Sequence, residues 1–578
     1  MRKMAIAGSV AATLLALLLP TSAHAAPASH GGGLVVRTDR GLVKGKSAEG
    51  TRQWLGIPYA APPTGALRWA APRPAPRWHG IRQATSYGGR CAQLASGNGP
   101  RVDNENCLYL NVFTPSRSDH HRGGLPVLVM IHGGGLTTGA GDQHDGSLIV
   151  NTDGIIVVSI NYRLGPFGFL DVPGLGTSAR TASGNYGLLD QEAALRWVHR
   201  NIAAFGGNPA AVTIDGESAG GWSMCALMTS PPARGLFRAA IMQSGSCATQ
   251  TRTTARAASL AFAKAAGCPD AATAGACLRR LPEQTLLSAS TSYQPLFISG
   301  GPELPVPAAQ AVASGHYNRV PLIIGTNHNE GRTFAQGFTG LTQDQAAKII
   351  ASEFGSKASA ILARYPWNSY PSPYTAAYQI GDIWTDSGFL TGIGGCPEQN
   401  LAAQFAATTP TFFYQFDDLH APGLNNDHPG YQWGAGHAME LAYLWPSFNN
   451  GFSLYDLLTP AQLQLSRQMV RYWGAFTAAG APEVPGQPLW PRYTSRQLMS
   501  LRPGGQTRTL PAGTFAAEHQ CSFWGEAPLV IGSRRGDPRW CPRDGRVPAA
   551  GPRERCPVRY KGPRPGTDGT LVPAADRH

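Results

Sequence analysis

The residues best placed to do chemistry lie between Asp215 and Met224, which read DGESAGGWSM and set Ser218 in a G-x-S-x-G pattern. A serine hydroxyl attacks an acyl carbon only when it stands clear of the backbone and a base takes its proton. The pattern meets the first condition. An apolar strand, Ala211 to Ile214, runs into a turn so tight that only Gly216 and Gly220 can flank the serine. A helix starting just past Ser218 would aim its free amides and positive dipole end at an oxyanion. Upstream, the apolar run Val127 to Ile131 leads straight into His132, Gly133, Gly134 and Gly135. Three consecutive glycines let backbone approach a ligand and expose N–H groups, the other half of such an anion cradle. Together the two segments point to acyl transfer through a serine-bound intermediate.

Rigid elements must hold these groups. The runs Val127 to Ile131, Ile155 to Ile160, Ala211 to Ile214 and Val320 to Ile324 alternate with helical stretches. That alternation predicts an α/β fold, a mostly parallel central sheet with helices on both faces. One helix is legible over Leu188 to Ile202, where Leu189, Ala193, Trp197 and Val198 recur at helical spacing. Asp190 near its start and Arg196 and Arg200 near its end suit the helix dipole. No internal repeat is visible, and a hydrophobic content of 42% is ample for a large core.

Further strings sharpen the reading: GIPYA at Gly56 to Ala60, ENCLYLNV at Glu105 to Val112, NYRLGPFGFL at Asn161 to Leu170, and GNYGLLDQEAALRWVHRNIAAFGGNP at Gly184 to Pro209. In this order, with the two glycine motifs, they closely resemble the type-B carboxylesterase family, the cholinesterase-like branch of the α/β-hydrolases. Within it the chain is similar to secreted bacterial members of the para-nitrobenzyl-esterase kind. The resemblance runs from about Gly33 to Gly532 and implies an α/β-hydrolase fold, built as one domain with insertions despite the 578-residue length.

The serine needs a histidine base, and the histidine a carboxylate. In this fold class both follow the nucleophile, in the order acid then histidine. Glu330 is the best local candidate for the acid, because the strand Val320 to Ile324 ends in the loop GTNHNEG, at an edge where such sheets gather functional loops. Asp386, Asp417 and Asp418 also satisfy chain order and read as solvated loop carboxylates. His420, His428 and His437 all follow Glu330, and order does not separate them. The resemblance implies Glu330 and His437, the latter framed by GAG before and MELAYLW after. One departure is Ala438, where the family usually has glycine, and a slight shift of the loop is expected from its methyl group.

The family's oxyanion hole maps onto the amides of Gly134, Gly135 and Ala219, and losing one such donor costs about 3 kcal/mol of transition-state stabilisation. Leu136 stands where the family commonly has an aromatic, which leaves the acyl pocket's shape open. Glu217, beside the nucleophile, either tunes the local field, holds a water or serves a structural hydrogen bond. Arg68 with Glu105, and Arg163 with Asp190, match buried ion pairs of the family, in which removing one partner costs about 3 to 5 kcal/mol. Cys91 with Cys107 and Cys268 with Cys277 resemble the family's two bridges, and Cys396 with Cys521 is a third expected pairing. Cys225, two helical turns past the nucleophile, and Cys247 are expected as buried free thiols. Cys541 and Cys556 are left to pair with each other. No cysteine and histidine spacing suggests a metal site, and Asp119, His120 and His121 read as a polar loop.

Arg2 and Lys3, an apolar run from Ala11 to Leu19, and Ala23-His24-Ala25 form an export signal with cleavage expected after Ala25. The apolar run is too short to span a bilayer comfortably and no other stretch approaches the length of a membrane span, so a secreted, extracellular enzyme is expected. Ten cysteines agree with an oxidising compartment. From Ser533 onward 11 Lys and Arg stand against 5 Asp and Glu, which gives six of the net charge of +13. This Pro, Gly and Arg-rich tail, 533–578, reads as a disordered, solvated extension, with an anionic surface as the alternative contact. The domain proper is 26–532. The partner implied is a small-molecule ester, with no cofactor, no metal and no nucleic acid. The loop between Cys91 and Cys107 lacks an aromatic, which argues against choline esters, and the positive net charge gives a choline cation no steering. A non-catalytic adhesion role, the other use of this fold, is disfavoured because Ser218, Glu330, His437 and the triple glycine are all present.

Overall fold

Val127, Val129 and Ile131 face one side of their strand and Leu128 and Met130 the other, and all five are buried, in two different core clusters. A strand that is apolar on both faces belongs inside a sheet covered twice. The computed structural model describes residues 33–117, 123–175, 184–425, 427–448 and 453–525. The expected leader, the Asp119 to His121 loop, the tail from Ser533, and Cys541 and Cys556 lie outside the described residues.

Among the described residues the main sheet has eleven strands: β1 (Lys46–Ala48), β2 (Thr51–Pro58), β3 (Tyr109–Pro115), β4 (Leu125–Ile131), β5 (Ile156–Ile160), β6 (Gly207–Glu217), β7 (Ala239–Gln243), β8 (Leu322–Asn327), β9 (Thr411–Phe416), β10 (Gln497–Leu501) and β11 (Arg508–Pro511). Their spatial order is β11-β10-β9-β8-β7-β6-β4-β5-β3-β2-β1. The seven strands from β10 to β5 run parallel, and antiparallel strands close both margins. This is the mostly parallel sheet the sequence predicts. Register does the positioning. Ile131 pairs with Gly216, Glu217 with Gln243, and Gln243 with Gly325, so β4, β6, β7 and β8 end at one edge of the sheet. The loops that follow them therefore emerge side by side.

The predicted helix forms as α1, Tyr186–Asn201, starting two residues earlier than expected. Asp190 consequently lies beyond the first turn. It is fully buried and takes Arg163 in a two-pronged pair, Nε to Oδ2 at 2.7 Å and Nη2 to Oδ1 at 2.8 Å. Arg68 makes the expected pair with Glu105, with Nε 2.7 Å from Oε2. The helix that follows Ser218 is α2, Ala219–Thr229, buried over its whole length.

The three expected disulfides, Cys91–Cys107, Cys268–Cys277 and Cys396–Cys521, are formed. The expectation of free thiols at Cys225 and Cys247 is wrong, because these two form a fourth bridge. The turn after β7 folds back over α2 and brings the two Cα atoms to 5.3 Å, within reach of a disulfide. Nothing in the spacing of 22 residues announces that fold-back. Replacing both cysteines with alanine should cost about 3 kcal/mol of stability by denaturant titration, and non-reducing peptide mapping should recover a linked Cys225 and Cys247 pair. Two alkylatable thiols at these positions would contradict the pairing.

Candidate functional site

Ser218 caps α2 with φ +58° and ψ −121°, a left-handed backbone that L residues rarely hold. Its surroundings enforce it. A Cβ on Gly216 would lie 2.6 Å from the Gly220 carbonyl, and one on Gly220 would lie 2.2 Å from Ile131 O, so the turn closes only with glycine at both. Ser218 N donates to Gln243 O over 3.0 Å, which ties the turn to β7.

The glycine loop after β4 leaves the sheet beside it. Gly134 and Gly135 hold φ of +93° and +63°, and the Gly134 carbonyl accepts from the amides of Thr137 and Thr138 at 3.0 Å each. The amides of Gly134, Gly135 and Ala219 take no carbonyl partner among the loop and turn bonds. His132 is a support for this loop: its ring stacks on Tyr162 with centroids 4.5 Å apart, its Nδ1 donates to Gly133 O over 2.9 Å, and burial pushes it down to about 4, hence neutral. Leu136 is fully buried and does not line the cavity.

Glu330 opens the short helix after β8 and is completely buried. Its Oε1 accepts from Ser244 Oγ (2.6 Å), Asn327 N (2.7 Å) and Thr326 Oγ1 (3.2 Å). Its Oε2 accepts from His437 Nδ1 over 2.6 Å. Ser244, Asn327 and Thr326 were not anticipated; the only trace they leave in the sequence is their place at the ends of β7 and β8. Ala438 sits at φ +67°, which explains why glycine is usual there and what the methyl group strains. The competing residues are engaged elsewhere. Asp386, Asp417 and Asp418 are buried, not solvated as expected. Asp386 accepts from Tyr365 and His519, Asp417 from His328 and Arg502, and Asp418 from Tyr443 and Gln462. His420 and His428 line a different depression, away from Ser218.

Ser218, His437, Glu217 and Gly133 to Gly135 line one cavity of about 430 Å³, together with Trp222, Phe334, Thr391, Ile393, Leu441 and Phe448. Gly97 and Asn98, from the loop between Cys91 and Cys107, complete its rim, and Asn98 Nδ2 donates to Thr138 Oγ1 over 3.0 Å. Among the described residues no cluster of His, Cys, Asp and Glu suits a metal ion, and no helix is long and apolar enough to cross a membrane.

The electrostatics centre on His437. Its Nε2 lies 3.0 Å from Glu217 Oε1, off the line a hydrogen bond requires, so the contact is one of charge. Burial works against a protonated ring, but the Glu217 and Glu330 carboxylates outweigh it and hold His437 up at about 9. Burial in turn raises Glu217 and Glu440 well above ordinary carboxylates.

The carboxylesterase family model matches residues 33–524. The chain is a member of the carboxylesterase family. Human cocaine esterase is 33% identical over 518 residues, covering 84% of this chain and 88% of that protein. Para-nitrobenzyl esterase of Bacillus subtilis (strain 168) is 34% identical over 477 residues, 79% of this chain and 92% of its relative. A solved PNB esterase structure matches with a TM-score of 0.68 at 33% identity, covering 84% of this chain and 99% of the other. The fold is that of the α/β-hydrolases, and the protein is a carboxylic ester hydrolase.

A base must be neutral to take a proton, so raising the histidine's pKa pushes activity toward higher pH. Glu217→Gln removes the largest charge holding His437 protonated. With His437 as the base proposed below, the acidic limb of the kcat/KM profile should move to lower pH in this variant; an unmoved limb, or one moved upward, would show that Glu217 does not act on that histidine.

Proposed function

We propose that the chain is a secreted serine carboxylesterase in which Ser218 is the nucleophile, His437 the base, Glu330 its orienting acid, and the amides of Gly134, Gly135 and Ala219 the oxyanion hole. The observation that carries this reading is the 2.6 Å bond from His437 Nδ1 to Glu330 Oε2, on a histidine that shares a cavity wall with Ser218. That bond fixes the tautomer in which Nε2 is free to accept a proton. Nε2 lies 3.0 Å from Glu217 Oε1 at rest, and the contact with Ser218 Oγ forms in the substrate complex, where catalytic hydrogen bonds tighten.

Ser218 Oγ then attacks the ester carbonyl while His437 takes its proton, and the three amides stabilise the oxyanion. His437 returns the proton to the departing alcohol, and water repeats the cycle on the acyl-enzyme. No cofactor enters these steps. The apolar walls suit bulky uncharged carboxylic esters, aryl or short-chain acyl, in keeping with relatives named for cocaine and para-nitrobenzyl esters. Export is supported by the leader motif at 1–25 and the four bridges. In this reading 26–532 is the catalytic domain and 533–578 a separate tail.

Rapid-mixing hydrolysis of p-nitrophenyl acetate should give a burst of p-nitrophenol that reports the acyl-enzyme. Ser218→Ala should lose the burst and about 10⁴-fold or more of kcat/KM. A folded Ser218→Ala protein that keeps its rate would rule the mechanism out.

A further inference from the structure

The cavity borrows its walls from two different packing clusters. Trp222 and Ile393 belong to the cluster that surrounds α2, and Ala438, Leu441 and Phe448 to the one that carries the His437 loop. We propose that Trp222 sets the length of the acyl group this enzyme accepts, an inference that rests on the serine-esterase reading above. In the adduct on Ser218 Oγ the oxyanion faces the three amides and the leaving alcohol faces His437. Trp222, Thr391 and Ile393 line the same cavity as Ser218, and the acyl chain is assigned to them.

The helix puts bulk at that spot and nowhere nearer. Trp222 lies four residues past Ser218, and its amide donates to Ser218 O over 2.9 Å, closing the first turn. Residues so spaced share a helix face, so the indole leaves α2 on the side that carries the nucleophile. The two residues before it are glycines with no room to be otherwise: a Cβ on Gly220 or Gly221 would lie 2.2 Å from Ile131 O or 2.8 Å from Gln243 O. Position 222 is thus the first past Ala219 where a large side chain fits, and the largest one occupies it, with only 8% of its surface exposed. The indole N–H has no acceptor among the described residues, so packing alone holds the ring. On this proposal a straight acyl chain growing from Ser218 runs against the indole. Trp222→Phe removes no hydrogen bond and changes only the wall's depth, whereas Trp222→Ala removes the wall.

The test is kcat/KM for p-nitrophenyl acetate, butanoate, octanoate and decanoate in the wild type, Trp222→Phe and Trp222→Ala, with Ser218→Ala as control. A second series varies the alcohol on a fixed acetyl group. The decanoate-to-acetate ratio should rise about tenfold or more in Trp222→Ala and less in Trp222→Phe, and the order of alcohols should persist. An unchanged chain-length profile overturns the proposal, as does a change confined to the alcohol series. Should Trp222→Ala not fold, an unmoved ratio in Trp222→Phe overturns it equally. Absence of any Ser218-dependent hydrolysis in the wild type is a separate outcome, which removes the esterase mechanism and this proposal with it.

Discussion

The site depends on one backbone constraint: Ser218 must hold φ at +58° between the end of a central strand and the start of a buried helix. An L residue in that conformation is strained by about 1 to 3 kcal/mol and stays only where its surroundings leave no alternative. Here the Gly220 approach to Ile131 and the Ser218 amide bond to Gln243 clamp the turn against the strands on both sides. The demands on the rest of the fold follow. β4, β6, β7 and β8 must end in register, because the triple-glycine loop, the serine, Ser244 and Glu330 each hang from one of those ends. The sheet must be covered on both faces, because strands that hold this register are apolar on both.

A second theme is the amount of carboxylate buried about a single imidazole. Glu217 and Glu440 are both raised above their ordinary values, chiefly by burial. Glu330 differs from them in its hydrogen bonds, with three donors to one oxygen and the histidine on the other. Four donors fix its orientation, as the proposed orienting acid requires, whereas Glu217 Oε1 lies 3.0 Å from His437 Nε2 without a hydrogen bond and acts on the ring through charge. The same chemical group thus serves two purposes according to what it accepts from.

Much of this was legible in the sequence. Ser218 and the triple glycine announce themselves because their chemistry is local, a glycine requirement imposed within a few residues of the reacting group. Glu330 follows from the strand before it, and His437 only from likeness to a family, since three histidines satisfied chain order. What escaped depends on how distant segments fold back. The bridge between Cys225 and Cys247 needs the turn after β7 to lie over α2. Ser244 reaches Glu330 for the same reason. Asp386, Asp417 and Asp418 read as solvated loop acids because three of their partners, His519, Arg502 and Gln462, lie 44 to 133 residues away.

The central claim is that Ser218 forms the covalent intermediate. Its most direct test is intact-protein mass spectrometry after treatment with a p-nitrophenyl alkylphosphonate, followed by peptide mapping. The account predicts one adduct per chain, located on Ser218 and formed with release of one equivalent of p-nitrophenol. A folded protein that remains unlabelled, or that carries the phosphonate on another residue, would contradict it.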